Sequence, residues 1–150
     1  MTTTTVVTIE AIIERARLDV AIAQAAARRA QRRRVDAKHA TTWARSLEAM
    51  QAVYEATHAA HAATTRIRRE QFTVAANDEA LTRAGTPEAL ARAAADASIV
   101  VTASDGSAAR VVVDLDYLYF TACEAVARCE VQLNMARAYC VARWRRIPPV

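Results

Sequence analysis

Glycine and proline are almost missing from this sequence. Its 150 residues include two glycines and three prolines, and none of the five lies within residues 1–84. Since these residue types end or bend regular structure more strongly than any others, nothing in that segment forces the chain to turn. Aromatic residues make up only 5%, and much of the 53% apolar content is alanine. We therefore expect helices that bury thin apolar stripes by approaching one another closely.

Long apolar runs and organised cysteines are also absent. No stretch approaches 18 uncharged apolar residues, which excludes a transmembrane helix. Residues 1–8 lack the basic and apolar regions of a signal peptide, so we expect a protein that is not secreted by one and that is located in the cytoplasm or a virion. Cys123, Cys129 and Cys140 are an odd number of cysteines, and their spacings match no zinc or iron–sulfur pattern. We expect no metal, no cofactor and a reducing compartment.

The N-terminal half of the chain carries all of the excess positive charge. The net charge is +4 and the pI about 9.3. Residues 1–76 hold 12 basic and 7 acidic side chains, whereas residues 77–150 hold 8 and 9. An anionic partner would therefore be expected to bind the N-terminal half.

Apolar residues recur every three or four positions in two segments of the N-terminal half, as in amphipathic helices. The first stripe comprises Ile9, Ile12, Ile13, Ala16, Val20, Ala23, Ala27 and Ala30, and the second, which resembles a coiled-coil seam, comprises Trp43, Leu47, Met50, Tyr54, Thr57, His61 and Thr64. One helix over residues 8–76 would be about 100 Å long. We favour a break near residues 35–42, with Thr41 or Thr42 as the N-cap of a second helix, which makes a helical hairpin.

The C-terminal half contains the turn signals. Gly85-Thr86-Pro87-Glu88 indicates a helix-to-helix junction followed by a short helix to about Ala97. The runs 99–102 and 111–113 flank Asp105-Gly106 and predict a β-hairpin. Asp114 and Asp116 are then interpreted as the start of a last helix, which ends before Pro148-Pro149. Its predicted core stripe is Leu115, Leu118, Ala122, Ala125, Cys129, Leu133, Ala136, Cys140 and Trp144.

The sequence thus predicts a mostly α fold and a single helical domain over residues 1–150. It consists of two or three long amphipathic helices in a hairpin or bundle, short helices, and a small β-hairpin near residues 99–113. Residues 1–8 form either a frayed tail or a short strand, and residues 147–150 form a C-terminal tail.

Six basic residues lie within eleven positions of the first predicted helix. They are Arg28, Arg29, Arg32, Arg33, Arg34 and Lys38, and only Asp36 opposes them. Like charges four residues apart repel one another on a helix, which suggests an anionic partner. Nucleic-acid phosphates or an acidic face of another subunit would fit. A solvated helix face is the alternative, and no aromatic residues beside the cluster indicate base stacking.

Other groups of polar residues have simpler structural explanations. Glu55, His58 and His61 have the spacing of metal ligands on a helix, but no second copy exists to complete a two-metal site. Cys129 and Cys140 fall on the predicted core stripe, where cysteine behaves as a small apolar residue. For Cys123, a redox or intersubunit role stays open.

Large apolar residues are expected to form an oligomer interface. Four consecutive positions, 117–120, carry two tyrosines, a leucine and a phenylalanine, and they cannot all face one core. Some must contact either the predicted hairpin or another subunit. The interface residues predicted on this basis and from the second helical stripe are Trp43, Leu47, Met50, Tyr54, Tyr117, Tyr119 and Phe120.

No catalytic or cofactor motif is recognisable in the sequence. The leading hypothesis is therefore a non-enzymatic structural or assembly subunit, such as a virion or phage component, that forms a homo-oligomer or binds other subunits of a larger complex. The alternative is a nucleic-acid-binding protein that uses the arginine-rich segment 28–38. A metal-dependent enzyme ranks third.

Overall fold

The computed structural model describes residues 5–84, 99–102 and 108–145. The elements in this part of the chain are strand β1 (Thr5–Thr8), helix α1 (Ile9–His39), helix α2 (Trp43–Ala84), strand β2 (Ile99–Thr102) and helix α3 (Ala108–Trp144). The mostly α fold with three long helices is confirmed. No helix in these segments combines the length and the apolar character that a bilayer span requires.

The chain divides into two compact units. The first unit comprises Met1–Leu18 and Arg66–Tyr119, and the second comprises Asp19–Thr65 and Phe120–Val150. Each of the three helices contributes one segment to each unit.

Three helical segments form a bundle in the second unit. Its described buried apolar residues are Val20, Ala23, Ala26, Ala27, Ala30 and Ala37 on α1, Ala40 just after α1, Ala49, Met50, Val53, Ala56, Ala60 and Ala63 on α2, and Ala122, Ala125, Val126, Cys129, Leu133, Ala136 and Cys140 on α3. Alanine dominates this core, and its short side chain lets helix backbones approach closely. The predicted core stripe of α3 is confirmed for these residues, since all but Val126 were expected.

A three-residue connection joins α1 to α2. Thr42 precedes α2, and its side-chain oxygen accepts a hydrogen bond from the Arg45 backbone N–H at 3.2 Å. Its carbonyl accepts the first helical bond, from the Ser46 N–H at 3.0 Å. Both contacts identify Thr42 as the N-cap. The predicted break in the long apolar pattern is therefore confirmed, and it needs neither glycine nor proline.

Polar contacts tie helix segments together in the first unit. Arg15 forms an ion pair with Glu70 at 3.0 Å, and the Gln71 side-chain amide donates to the Asp116 carboxylate at 2.7 Å. Among the residues of this unit that the structure describes, the buried apolar ones are Ile12, Ile13, Ala16, Ile67, Val74 and Leu115. Strands β1 and β2 pair in parallel, with Thr5 opposite Ile99 and Thr8 opposite Thr102. The N-terminal segment 5–8 is therefore a short strand.

The predicted β-hairpin over residues 99–113 is wrong. Residues 111–113 lie within α3, which begins at Ala108, and Ile99–Thr102 pairs with the distant β1 instead. A β-branched residue disfavours a helix by only a few tenths of a kcal/mol, so tertiary packing easily overrides its preference. Asp114 and Asp116 consequently lie inside the helix rather than at its start. The predicted turn at 105–106, the junction at 85–88, the short helix at 87–97 and the tail at 147–150 lie outside the described residues.

Candidate functional site

The arginine cluster on α1 divides into engaged and exposed side chains. Arg33 contacts two carboxylates, that of Asp36 at 3.0 Å and that of Glu48 at 3.6 Å. Arg34 donates from Nε to the Gln132 side-chain oxygen on α3 at 2.8 Å. These two guanidinium groups therefore have protein partners, and a ligand anion would compete with those contacts.

The other four basic residues of the cluster are exposed. We call Arg28, Arg29, Arg32 and Lys38 the exposed basic residues. Within the described part of the chain none of them lies within ion-pair distance of a carboxylate. The helical spacing places Arg28 and Arg32 on the face of α1 opposite its buried alanines, whereas Arg29 lies at the edge of that face, where its charge acts on Cys129 of α3. Arg28, Arg32 and Lys38 can reach an anion from solvent without losing an ion pair or hydrogen bond to the described part of the chain.

The cysteines of α3 are free thiols. Burial raises the pKa of Cys140. Burial also raises the pKa of Cys129, where the positive charge of Arg29 acts in the opposite direction and Glu130 adds to the rise. Both buried thiols are thus held in the neutral form, which suits packing and not nucleophilic chemistry. Cys123 is only half-buried.

A polar groove runs between α2 and α3 in the second unit. His61 Nε2 lies 3.0 Å from a Glu130 carboxylate oxygen, and Tyr54, His58 and Arg137 line the same groove. His61 was expected on an apolar seam, but it is exposed, because the buried face of α2 follows Val53, Ala56, Ala60 and Ala63. Among the residues that the structure describes, no group of three side chains is arranged to hold a metal ion.

The predicted interface residues are distributed over several environments. Met50 is fully buried within the chain, which removes it from any outer surface. Trp43 and Trp144 make an edge-to-face contact at 5.9 Å between ring centroids, and Leu47 is half-buried. In the first unit, the Arg68 guanidinium lies 5.2 Å from the ring centroid of Tyr119.

The remaining predicted interface residues are exposed. Tyr54 keeps 41% of its surface accessible, Phe120 61% and Tyr117 69%. These three side chains are accessible to a second subunit, and their role in an oligomer interface stays a prediction. Val113, one turn before Tyr117, is also exposed.

Helix α3 carries a second apolar stripe that the sequence analysis missed. It comprises Phe120, Glu124, Ala127, Val131, Asn134, Ala138 and Val141, all of them exposed, and we call it the outer stripe. Its members alternate at steps of four and three, so they lie along one face, opposite the buried stripe. The same three–four spacing is present in the sequence, but it does not show which of the two stripes the chain buries.

Two surfaces of the described residues are therefore exposed in the second unit. The exposed basic residues present positive charge on α1, and the outer stripe presents apolar surface on α3. Comparison with protein-family models, with curated proteins and with solved structures found no match for this chain.

Proposed function

We propose that this chain is a non-enzymatic structural subunit that self-associates through its helices within a larger assembly, such as a virion or phage particle. The observation that carries the proposal is the outer stripe, five of whose seven residues are apolar. Phe120, Val131 and Val141 keep 61%, 54% and 42% of their surface in water. An exposed and predominantly apolar strip of this kind is typical of an interaction surface.

The energetics favour covering this strip. The segment from Phe120 to Val141 is about 30 Å long at 1.5 Å per residue. Each Å² of apolar surface removed from water contributes about 25 cal/mol. The alanine-rich bundle gains little from each core residue, so contacts between subunits would add a substantial share of stability. Repetition of modest contacts suits a protein that builds assemblies.

Sedimentation velocity between 1 and 100 µM tests the proposal. We expect a concentration-dependent shift from monomer to dimer or larger species. Val131→Asp places a charge in the outer stripe and should reduce association. Gln51→Asp adds the same charge to an exposed face of α2 and serves as the matched control. A chain that stays monomeric at 100 µM, with no partner from its source, would refute the proposed function.

Nucleic-acid binding is the second candidate function. The contacts of the arginine cluster favour it. Arg33 and Arg34 have protein partners, whereas the exposed basic residues form no ion pair in the described segments. Phosphate contacts need accessible cations with no internal carboxylate to displace. Three exposed arginines of α1 meet that requirement, and the charge of the N-terminal half has the matching sign.

Fluorescence anisotropy with a labelled DNA duplex, repeated from 50 to 300 mM salt, tests this candidate. Arg28→Gln, Arg29→Gln and Arg32→Gln together should abolish a steeply salt-dependent affinity, since each lost phosphate contact reduces the slope of log K against log salt by about 0.9. The double variant Arg33→Gln, Arg34→Gln is the control and should change the slope little. Salt-independent binding, or equal losses in both variants, would rule out this interface.

A further inference from the structure

The outer stripe has the spacing of a two-stranded coiled coil. Steps of four and three residues from Phe120 to Val141 average 3.5 residues, the period at which two helices keep one seam in contact. All seven positions are exposed and belong to the second unit. The small residues Ala127 and Ala138 would allow a second helix to approach closely.

Two polar residues interrupt the stripe and restrict how a second copy can lie on it. In a parallel pair, each Glu124 would face Glu124 of the second copy within the seam, where repulsion between desolvated like charges is strong. In an antiparallel pair, one register places Glu124 opposite Asn134 of the second copy, twice by symmetry. The carboxylate then accepts a hydrogen bond from the side-chain amide, and no seam charge is left without a partner.

The same register matches large residues with small ones. Phe120 falls opposite Ala138 of the second copy, and Val131 falls opposite Ala127. Alternation of large and small side chains is what close packing of facing helices requires. Shifting the pairing by one heptad would place Glu124 against an apolar residue and lose the polar match.

We infer that the outer stripe binds the outer stripe of a second copy of this chain in an antiparallel pair, in the register that joins Glu124 to Asn134. This inference rests on the proposed self-association and names its partner and geometry. Beside the seam, Arg128 and Glu130 would each approach their own copies. Both side chains are exposed, so water and salt screen that repulsion, and His61 already contacts Glu130.

The size of the contact makes the pair reversible. Six layers of contacts between residues 120 and 138 span about 27 Å, and a helix is about 10 Å wide, so the strip covers about 270 Å² on each partner, or about 540 Å² in total. Stable interfaces bury roughly 1,000 Å² or more in total accessible area. We therefore expect a dimer that dissociates on dilution in the micromolar range.

A charge substitution tests the orientation of the two helices. Asn134→Lys converts both Glu124–Asn134 contacts into ion pairs in the antiparallel register, and sedimentation equilibrium should show dimerisation strengthened about 5-fold or more. In a parallel pair the same lysine would face its own copy and weaken the dimer. Gln51→Lys adds an equal charge on α2 and is the control, and circular dichroism checks that each variant is folded.

Disulfide trapping tests the register independently. In a Cys123→Ser background, Ala127→Cys and Val131→Cys variants are oxidised alone and as a mixture. The buried thiols of Cys129 and Cys140 have a raised pKa and should react slowly. We expect the mixture to form a heterodimer several times faster than either variant forms a homodimer, because residue 127 faces residue 131 of the second copy.

Each outcome has one consequence. Faster oxidation of Ala127→Cys by itself, with weaker association of Asn134→Lys, would show a parallel pair and overturn the inference. A chain that dimerises but forms no disulfide at these positions, and does not respond to Val131→Asp, associates through another surface: the inference then fails while the proposed function stands. A chain that is monomeric throughout overturns both.

Discussion

The two faces of α3 in the second unit have the same spacing but opposite environments. The inner face, with Ala125, Cys129 and Leu133, is buried against α1 and α2. The outer stripe, with Ala127 and Val131, is exposed. Small and medium apolar residues dominate both faces. A helical period therefore identifies an apolar stripe, but only the packing of neighbouring helices determines whether the chain itself covers it.

The largest expected effect separates two residues of α3, Val131 and Leu133, which are only two positions apart in the sequence. Leu133→Ala should lower the free energy of unfolding by about 2–4 kcal/mol, because it leaves a cavity in a closely packed core. Val131→Ala should change it by less than about 0.5 kcal/mol, because the side chain is largely in water already. Urea denaturation at 1 µM protein measures both. Equal losses would mean that the outer stripe is part of the folded core.

A smaller loss of stability is expected when a buried hydrogen bond between α2 and α3 is removed. The Trp144 indole N–H donates to the hydroxyl of Ser46 at 2.9 Å, and Ser46 is almost fully buried. Ser46→Ala should cost about 1–2 kcal/mol, because it leaves the indole donor without its acceptor. Trp144→Phe removes that donor. The double variant Ser46→Ala, Trp144→Phe should therefore lose less stability than the sum of the two single variants. Additive losses would argue against the hydrogen bond.

An exposed residue should affect stability appreciably only where the backbone depends on it. Thr42 is exposed, yet it caps the first turn of α2. Thr42→Ala should lower the free energy of unfolding by about 1 kcal/mol, whereas Thr42→Ser should retain most of the stability. Thermal denaturation of the two variants measures the difference. Thr41→Ala, which changes the neighbouring exposed threonine, is the control and should have little effect.

The smallest expected effect concerns the thiols of the inner face. Because burial raises the pKa of Cys129 and Cys140 above the unfolded value of about 8.5, the folded chain holds these thiol protons more tightly. The stability from this source is complete below pH 8.5 and is lost as the pH rises toward the folded pKa values. Replacing both cysteines with alanine should flatten the decline between pH 8.5 and 10. The variant Cys123→Ala controls for loss of a thiol, and an unchanged slope would contradict the prediction.

Much of the helical fold could be predicted from local patterns. The stripe of α1 from Ile12 to Ala30 is buried as expected, and so is the predicted stripe of α3 except for Leu118 and Trp144, which are half-buried. The cap at Thr42 was one of two candidates. On α2 the prediction followed Tyr54 and His61, which are exposed, since the many alanines of this helix make several faces almost equally apolar. Sequence patterns rank such faces poorly because alanine adds little to the contrast between them.

The candidate site could be predicted only in part. All six basic residues of the α1 cluster were identified, but their division into two groups was not. Arg33 and Arg34 find Glu48 and Gln132 on other helices, 15 and 98 positions away along the chain. No local pattern contains such partners. The outer stripe was missed for the related reason that its exposure depends on where α1 and α2 lie.

Local chemistry was enough to specify long helices, the break before α2 and the sign of the charge on α1, because spacing, capping and composition act over a few residues. Only the tertiary structure shows that residues 111–113 are helical, that Ile99–Thr102 pairs with Thr5–Thr8, and which apolar face of α3 is buried. The reason is energetic. Propensities differ by tenths of a kcal/mol per residue, whereas covering or exposing a whole helix face changes the free energy by several kcal/mol.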